Sequence, residues 1–561
     1  MRARAAVADS RVALLLICAG ALSLRLLGLR YGLPAVYNPD EVAIMSRALA
    51  FAKGDLNPHN FLYPSFYFYA LFVWEGLAAV FAVVTRAVDS FGAFQREFFI
   101  DPTRVYVAGR LLTALCGTAT VAATYALGKR IAGTSAGLCA ALFLAIAPLH
   151  VRDSHYVKHD VPVTLLIVLA YLAYLRVRDL QSLIVAAAIT GAAFSTHYYT
   201  IFLAIPLAWS AARGARDTSD AIRRIAIAAA ISGAVFFLLS PFILAEPGVA
   251  LRDIRANRQI VIDRAVGSLG YLQTAVRYGA LLWRDSVGWP VVVLALAGLF
   301  VAAREHPRKA LLLLAFPLPF LIFIGSTFPA SRYLIPILPF IVVFAGIAAA
   351  RVGEWNRAAA VATLMVVVIL PLRESIDTDL FIRKTDTRTF AARYIEAHVP
   401  SGATLLTQPY SVPLNPSSDV LREAVQRSGS QMPTKTRLAL ERQPYPDPAY
   451  RLIYLGFGLD ADKLYLPYDR LSGDDPLKPL RTEHVAFVVL KRYNTADPAT
   501  LPFLTALARE GRRIAVFTPY RDGPGDSRPE PFLHNTDARI DRSLERPGPV
   551  VEIWQLDGSG S

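Results

Sequence analysis

Along the first two-thirds of the chain, apolar residues come in long runs rather than in alternation. Runs near 11–30, 106–127, 133–150, 161–177, 181–197, 198–212, 222–244, 288–303, 309–325, 332–350 and 357–372 each approach the roughly 20 residues that an α-helix needs to cross a bilayer. They predict eleven transmembrane helices. Beyond about Leu372 the apolar stretches shorten and alternate with polar, Pro-rich ones. TRTFAARYIEAHVP (387–400) and PATLPFLTALAREG (498–511) carry a helical period, whereas ATLLTQPY (403–410), HVAFVVL (484–490), RIAVFTPY (513–520) and VVEIWQL (550–556) read as strands. The pattern thus predicts a polytopic α-helical membrane domain over 1–372 and a soluble α/β domain over 373–561, with long loops at 411–450 and 521–548. Composition agrees, because 54% hydrophobic against 18% charged residues is too apolar for an ordinary soluble enzyme. Cys18, Cys116 and Cys139 all lie inside apolar runs, which leaves the C-terminal domain without a disulfide framework or a Cys-based zinc site.

The net charge of +14 does not point to nucleic acid, since no dense basic run is interleaved with aromatics. It marks alternate loops instead: Lys129 and Arg130, Arg176 and Arg178, Arg213 and Arg216, Arg304 with Arg308 and Lys309, then Arg351 and Arg357. Positive loops stay in the cytoplasm, so the N-terminus is read as cytoplasmic, with a retained first helix because no small-x-small cleavage site follows it. One stretch competes with this count. PSFYFYALFVWEGLAAVFAVVTRAV (64–88) is long enough to span, but a crossing there would put every later basic loop outside. Its Glu75 and its many aromatics suit a helix lying in the interface, so an in-plane or re-entrant segment is predicted. The C-terminal domain then lies outside the cytoplasm, and the Arg- and Ala-rich usage suggests a bacterial inner (plasma) membrane.

With that topology, one membrane face collects YNPDE (37–41), Arg110, PLHVRDSHYVKHDVP (148–162), STHYYT (195–200) and FPASRYLIP (328–336). Charged groups gathered at a membrane edge mark a site for chemistry or transport. Each has a plainer reading. Asp40 and Glu41 could be solvated loop acids, RDSHYVKHD a hydrated loop touching headgroups, His197 a neutral buried imidazole, and Arg110 a side chain that snorkels to phosphate. His155 and His159 are spaced i, i+4 and stand beside Asp160, a metal-ligand pattern if the stretch is helical. No motif demands a cofactor, and a divalent cation is left open. Arg332 and Tyr333 open an apolar run kinked by Pro336 and Pro339.

Taken in order, YNPDEVAIMSRAL, NFLYPSFYFY, AGRLLTALCGTATVAATYALGKRIAG, PLHVRDSHYVKHDVPVTL, GAAFSTHYYTIFLAIPL and SRYLIPILPF resemble the GT-C glycosyltransferases. More narrowly, they are similar to the protein O-mannosyltransferase and aminoarabinose transferase family. The resemblance implies an integral membrane enzyme that moves a sugar from a polyprenyl phosphate to an acceptor protein, lipid or glycan outside the cytoplasm, with inversion. It implies Asp40 as catalytic base with Glu41 its neighbour, Arg110 on the lipid phosphate, Asp160 as a second acidic position, and Arg332 and Tyr333 near the donor. The chain departs from the family at Leu62-Tyr63-Pro64-Ser65, where aminoarabinose transferases carry Glu-Lys-Pro-Pro, and at Thr196-His197, where many bacterial relatives carry Thr-Lys. Donor phosphate is therefore expected to rest on Arg110, Lys158, His197 or Arg332. The rival from another class is a transporter of a lipid-linked or anionic substrate, which would show internal repeats and charges near mid-bilayer. Within the transferases, block transfer of oligosaccharide is the other reading, although no Trp-Trp-Asp motif occurs.

Overall fold

The computed structural model describes residues 2–266, 270–327, 329–458, 460–492, 500–523 and 542–556. Helices dominate the chain as far as Ile382, and a helix-flanked sheet follows. Among the described residues, six helices are long and apolar enough to cross a membrane: Phe66–Val84, Thr103–Ala145, Thr218–Leu239, Pro307–Ile324, Ser331–Trp355 and the run that starts at Arg357. Tyr271–Ser286 and Trp289–Glu305, bent by 114°, make a seventh if they are one span. Asp160–Tyr174 and Leu180–Phe194 are apolar but shorter.

Local chemistry explains where these helices depart from the predicted runs. The runs at 106–127 and 133–150 form one 43-residue helix, Thr103–Ala145, that breaks at Ala132–Gly133, where Gly133 takes φ 91°. Its two arms fold back on each other. A side chain at Gly137 would meet the Tyr125 carbonyl at 2.6 Å, so only glycine lets the backbones approach this closely. The run at 198–212 starts as a 3-10 turn, Tyr198–Leu203, before Ala204–Arg213. The run at 332–350 likewise opens as the 3-10 helix Ser331–Ile337, because Pro336 and Pro339 withhold the N–H groups an α-helix would need there. The run at 357–372 continues through Pro371 to Ile382. Pro247–Val266 and Tyr271–Leu281 were not predicted, since their polar residues hide them from a search for apolar runs.

The Phe66–Val84 helix has the length and composition of a span, yet both of its ends contact the same end of the bundle. Ser65 N–H donates to Ser240 Oγ and Phe66 N–H to Ser195 O, at the ends of two bundle helices. Beyond its other end, the Phe91–Ile100 helix stacks Phe98 on Tyr106 and pairs Glu97 with Arg104, at the start of Thr103–Ala145. The helix lies across the end of the bundle that carries Asp40.

Among the described residues the C-terminal unit holds six strands, β1 (Thr404–Thr407), β2 (Arg451–Leu455), β3 (Leu464–Leu466), β4 (Phe487–Arg492), β5 (Gly511–Phe517) and β6 (Val550–Leu556), in the order β3-β2-β1-β4-β6-β5. The first four are parallel, and β6 and β5 join antiparallel. Where 411–450 was expected to be a loop, Ser418–Ser428 and Thr434–Leu440 are helices. Residues 524–541 of the expected loop at 521–548 lie outside the described residues. The unit touches the first loop of the membrane portion: the Arg388 guanidinium stacks 3.8 Å over the Tyr37 ring, whose hydroxyl meets Thr389 Oγ1 at 2.6 Å. Tyr37 stands three residues before Asp40, so the α/β unit clamps the segment that carries it.

Candidate active site

Asp40 and Glu41 are neighbours in sequence and opposites in place. Asn38 caps the Pro39–Ala50 helix, its side chain accepting from Asp40 N–H, and Pro39 takes the first helical position. Successive residues on a helix point about 100° apart. Glu41 therefore turns into the bundle while Asp40 turns to its open edge. Glu41 is fully buried and accepts from Arg110 Nε at 2.9 Å and Nη2 at 2.8 Å, from the Tyr31 hydroxyl at 3.0 Å and from Val157 N–H at 2.9 Å. Arg110, equally buried, gives its remaining Nη1 to the Leu29 and Tyr31 carbonyls. This pair joins three separate stretches of chain. Four of Arg110's five N–H groups are bound in this way, and neither Arg110, expected on the lipid phosphate, nor Glu41, expected beside the base, lines the cavity described below.

Asp40, with 31% of its side chain exposed, accepts from Arg332 Nη1 at 2.7 Å and pairs with Lys158 Nζ at 3.0 Å through the same oxygen, Oδ2. Burial pushes its carboxyl up, but Lys158 and Arg332 outweigh that and hold it well below the usual carboxylate range. The segment from 148 to 160 is not a hydrated loop. Arg152, Asp153, His155, Lys158, His159 and Asp160 are all buried. Arg152 forks onto Asp153 Oδ2 and also reaches Ser331 Oγ at 3.2 Å, which fixes the residue next to Arg332. His155 turns away from His159, with Nδ1 and Nε2 each 2.9 Å from a backbone carbonyl, of Val151 and Leu27. The i, i+4 metal pair is thereby corrected, because His155–His159 is a turn and not a helical turn of one face.

Beside Arg332 opens a cavity of about 240 Å³. Its polar wall is Tyr63, His159, Asp160, His197, Arg332 and Tyr333, and its apolar wall Ile201, Phe202, Phe320, Phe323 and Ile324. His159, Asp160 and His197 offer ligand atoms all within 4.8 Å of one another. Among the described residues, the His159 nitrogens and the Asp160 carboxylate have no hydrogen-bond partner. Two imidazoles and a carboxylate suit a divalent ion such as zinc. Burial pushes His159 down to about 4, so it is neutral and able to ligate near pH 7. His197 sits between the elements, its ring 4.7 Å from His159 and 3.8 Å from Tyr199, with Nδ1 accepting from Tyr199 N–H. Tyr63, Tyr199, Phe320 and Ser331 were not singled out from sequence. The aromatic density of 61–69 and 198–202 was the signal available for the first two.

Residues 102–244 match the family model of dolichyl-phosphate-mannose-protein mannosyltransferases. The chain is similar to the GT-C glycosyltransferases. Its fold is shared with ArnT from Cupriavidus metallidurans bound to undecaprenyl phosphate, at 15% identity and a TM-score of 0.53, over 98% of each chain. It is also similar to the oligosaccharyltransferase of Archaeoglobus fulgidus in the apo form, at 12% identity and a TM-score of 0.50, over 86% of this chain and 69% of that one. At these identities the likeness is one of fold. No curated protein matches the chain in sequence.

Proposed function

We propose that this chain transfers a sugar from a polyprenyl-phosphate donor to an acceptor hydroxyl at the extracytoplasmic face of a bacterial plasma membrane, inverting the anomeric carbon, with Asp40 as base. The observation that carries this reading is a partly exposed carboxylate bridging two cations, one of which, Arg332, lines a cavity that is polar on one wall and apolar on the other. The donor has the same two-sided character. Its isoprenoid chain suits Phe202, Phe320 and Phe323, and its phosphate suits Arg332, Lys158 and the Tyr333 hydroxyl.

The double ion pair shapes the mechanism. With both cations on it, Asp40 is a weak base. A donor phosphodiester competes for Arg332 and Lys158, so its arrival frees the carboxylate beside the acceptor hydroxyl. Asp40 then takes the hydroxyl proton as the oxygen attacks the anomeric carbon from the side opposite phosphate. The carbon–oxygen bond to phosphate breaks and its electron pair leaves with polyprenyl phosphate. That group's charge grows from one negative to two, so the cations bind the transition state more tightly than the donor and no acid is required. A divalent ion held by His159, Asp160 and His197 would add Lewis-acid charge beside the same phosphate.

The reading includes eleven crossings with the N-terminus in the cytoplasm and the α/β unit outside. It is supported by the arms on either side of Gly133 counting separately and by the basic loops falling at the end of the bundle away from Asp40. The acceptor is a protein, a lipid or an envelope glycan. The test is transfer by the purified full chain in liposomes, using radiolabelled undecaprenyl-phosphate sugar and an envelope extract. Release of undecaprenyl phosphate with label appearing in the acceptor supports the reading. Movement of intact donor across the bilayer without cleavage would identify a transporter instead.

A further inference from the structure

The end of the bundle away from Asp40 holds a second pocket, of about 500 Å³, that sugar transfer does not use. It opens between the Thr103–Ala145, Asp160–Tyr174 and Leu180–Phe194 helices. Leu169, Leu172, Val185 and Ile189 form its apolar wall, and Arg130 and Arg176 stand at its rim. Arg130 is anchored, Nη1 donating to the Leu172 carbonyl at 2.8 Å. Among the described residues no carboxylate pairs with either arginine. The acid on the rim, Asp179, is committed to capping the next helix, accepting from Ser182 N–H at 2.8 Å and Ser182 Oγ at 2.7 Å. More positive charge is close by, since Lys309 Nζ donates to the Arg130 carbonyl at 3.2 Å and Lys129 and Arg178 are the neighbours in sequence.

Two guanidinium groups on one pocket rim against the single carboxylate of Asp179 leave an excess of positive charge that an anion can neutralise. Their planar forks fit phosphate oxygens in pairs, and the apolar wall beneath asks for a hydrocarbon chain on the same molecule. Basic pockets between transmembrane helices on the cytoplasmic side hold anionic headgroups on these grounds. We propose that this pocket binds an anionic phospholipid of the leaflet opposite the transfer site, with its phosphate between Arg130 and Arg176 and an acyl chain along Leu169, Leu172, Val185 and Ile189. The lipid ties the helix hairpin around Gly133 to the Leu180–Phe194 helix.

The test is native mass spectrometry of the full chain in detergent, titrated with phosphatidylglycerol, with phosphatidylcholine and with glycerol 3-phosphate alone. One phosphatidylglycerol should be retained per chain, more tightly than phosphatidylcholine. Arg176→Gln, at a loop position without a side-chain partner among the described residues, should weaken retention about fivefold, and Arg130→Gln with Arg176→Gln about thirtyfold. Val185→Trp, which fills the pocket and keeps both charges, should abolish it. Equal retention of the two lipids, or no change in the arginine variants, overturns the proposal. So does displacement of the lipid by glycerol 3-phosphate at equal concentration, because the site would then recognise phosphate alone.

Discussion

Asp40 and Glu41 invite a paired experiment, because the structure gives two adjacent acids opposite duties. Asp40→Asn keeps the side-chain volume and removes the charge at a position that is 31% exposed, leaving Arg332 at the cavity and Lys158, only 2% exposed, without that counter-charge. Its effect on stability should be moderate, about 1–3 kcal/mol, because the amide oxygen still accepts from Lys158 and Arg332 while the buried ammonium loses its counter-charge. Its effect on transfer should be large, about 10² to 10⁴ in kcat, the range for losing a positioned base. Glu41→Gln does the reverse. It leaves the Arg110 guanidinium fully buried with no counter-charge and weakens two further hydrogen bonds, from Tyr31 and Val157. Removing one partner of a buried pair costs about 3–5 kcal/mol, a large part of the stability of most proteins. Thermal unfolding in detergent and transfer from polyprenyl-phosphate sugar, measured on both variants, separate the two roles. An Asp40→Asn enzyme within tenfold of wild type, or a Glu41→Gln protein that melts with wild type but transfers nothing, would refute this assignment.

Three further outcomes are expected. Arg332→Lys keeps a charge but loses the fork that meets phosphate, so kcat/KM for the donor should fall about 10- to 100-fold, mainly through KM, with the melting temperature nearly unchanged. A side chain at Gly298 would overlap the Phe344 carbonyl, so Gly298→Ala should force two helices apart and destabilise by about 1–3 kcal/mol, read as a lower melting temperature. His159 has its pKa lowered from 6.5 to about 4 by burial. The unfolded chain therefore binds more protons between those values, and stability should fall as pH drops from about 6.5 to 4. His159→Gln should flatten that part of the pH–stability curve, as followed by thermal unfolding across pH.

The YNPDE segment, Arg110, residues 148–162, STHYYT and residues 331–336 lie at one end of the bundle, and that much followed from apolar runs and the placement of arginines. Both are one-dimensional properties: a run of some 20 apolar residues has few places to go but across a bilayer or into a core. Boundaries were less legible wherever glycine or proline set them, as at Gly133 and Pro336, because a break in a helix leaves the hydropathy unchanged. Amphipathic segments such as Tyr271–Leu281 and Ser418–Ser428 were hidden for the complementary reason, their polar faces masking the apolar ones. The division of labour among charged groups was the least legible. Whether Arg110 meets a ligand or Glu41 depends on a contact between residues 69 positions apart, and whether His159 partners His155 or His197 depends on how two loops are brought together. Sequence alone determined which segments are apolar and which end of the bundle collects charge. Only the tertiary structure decided which charges neutralise one another in the interior and which are left facing a cavity, because burial and pairing are properties of neighbours in space.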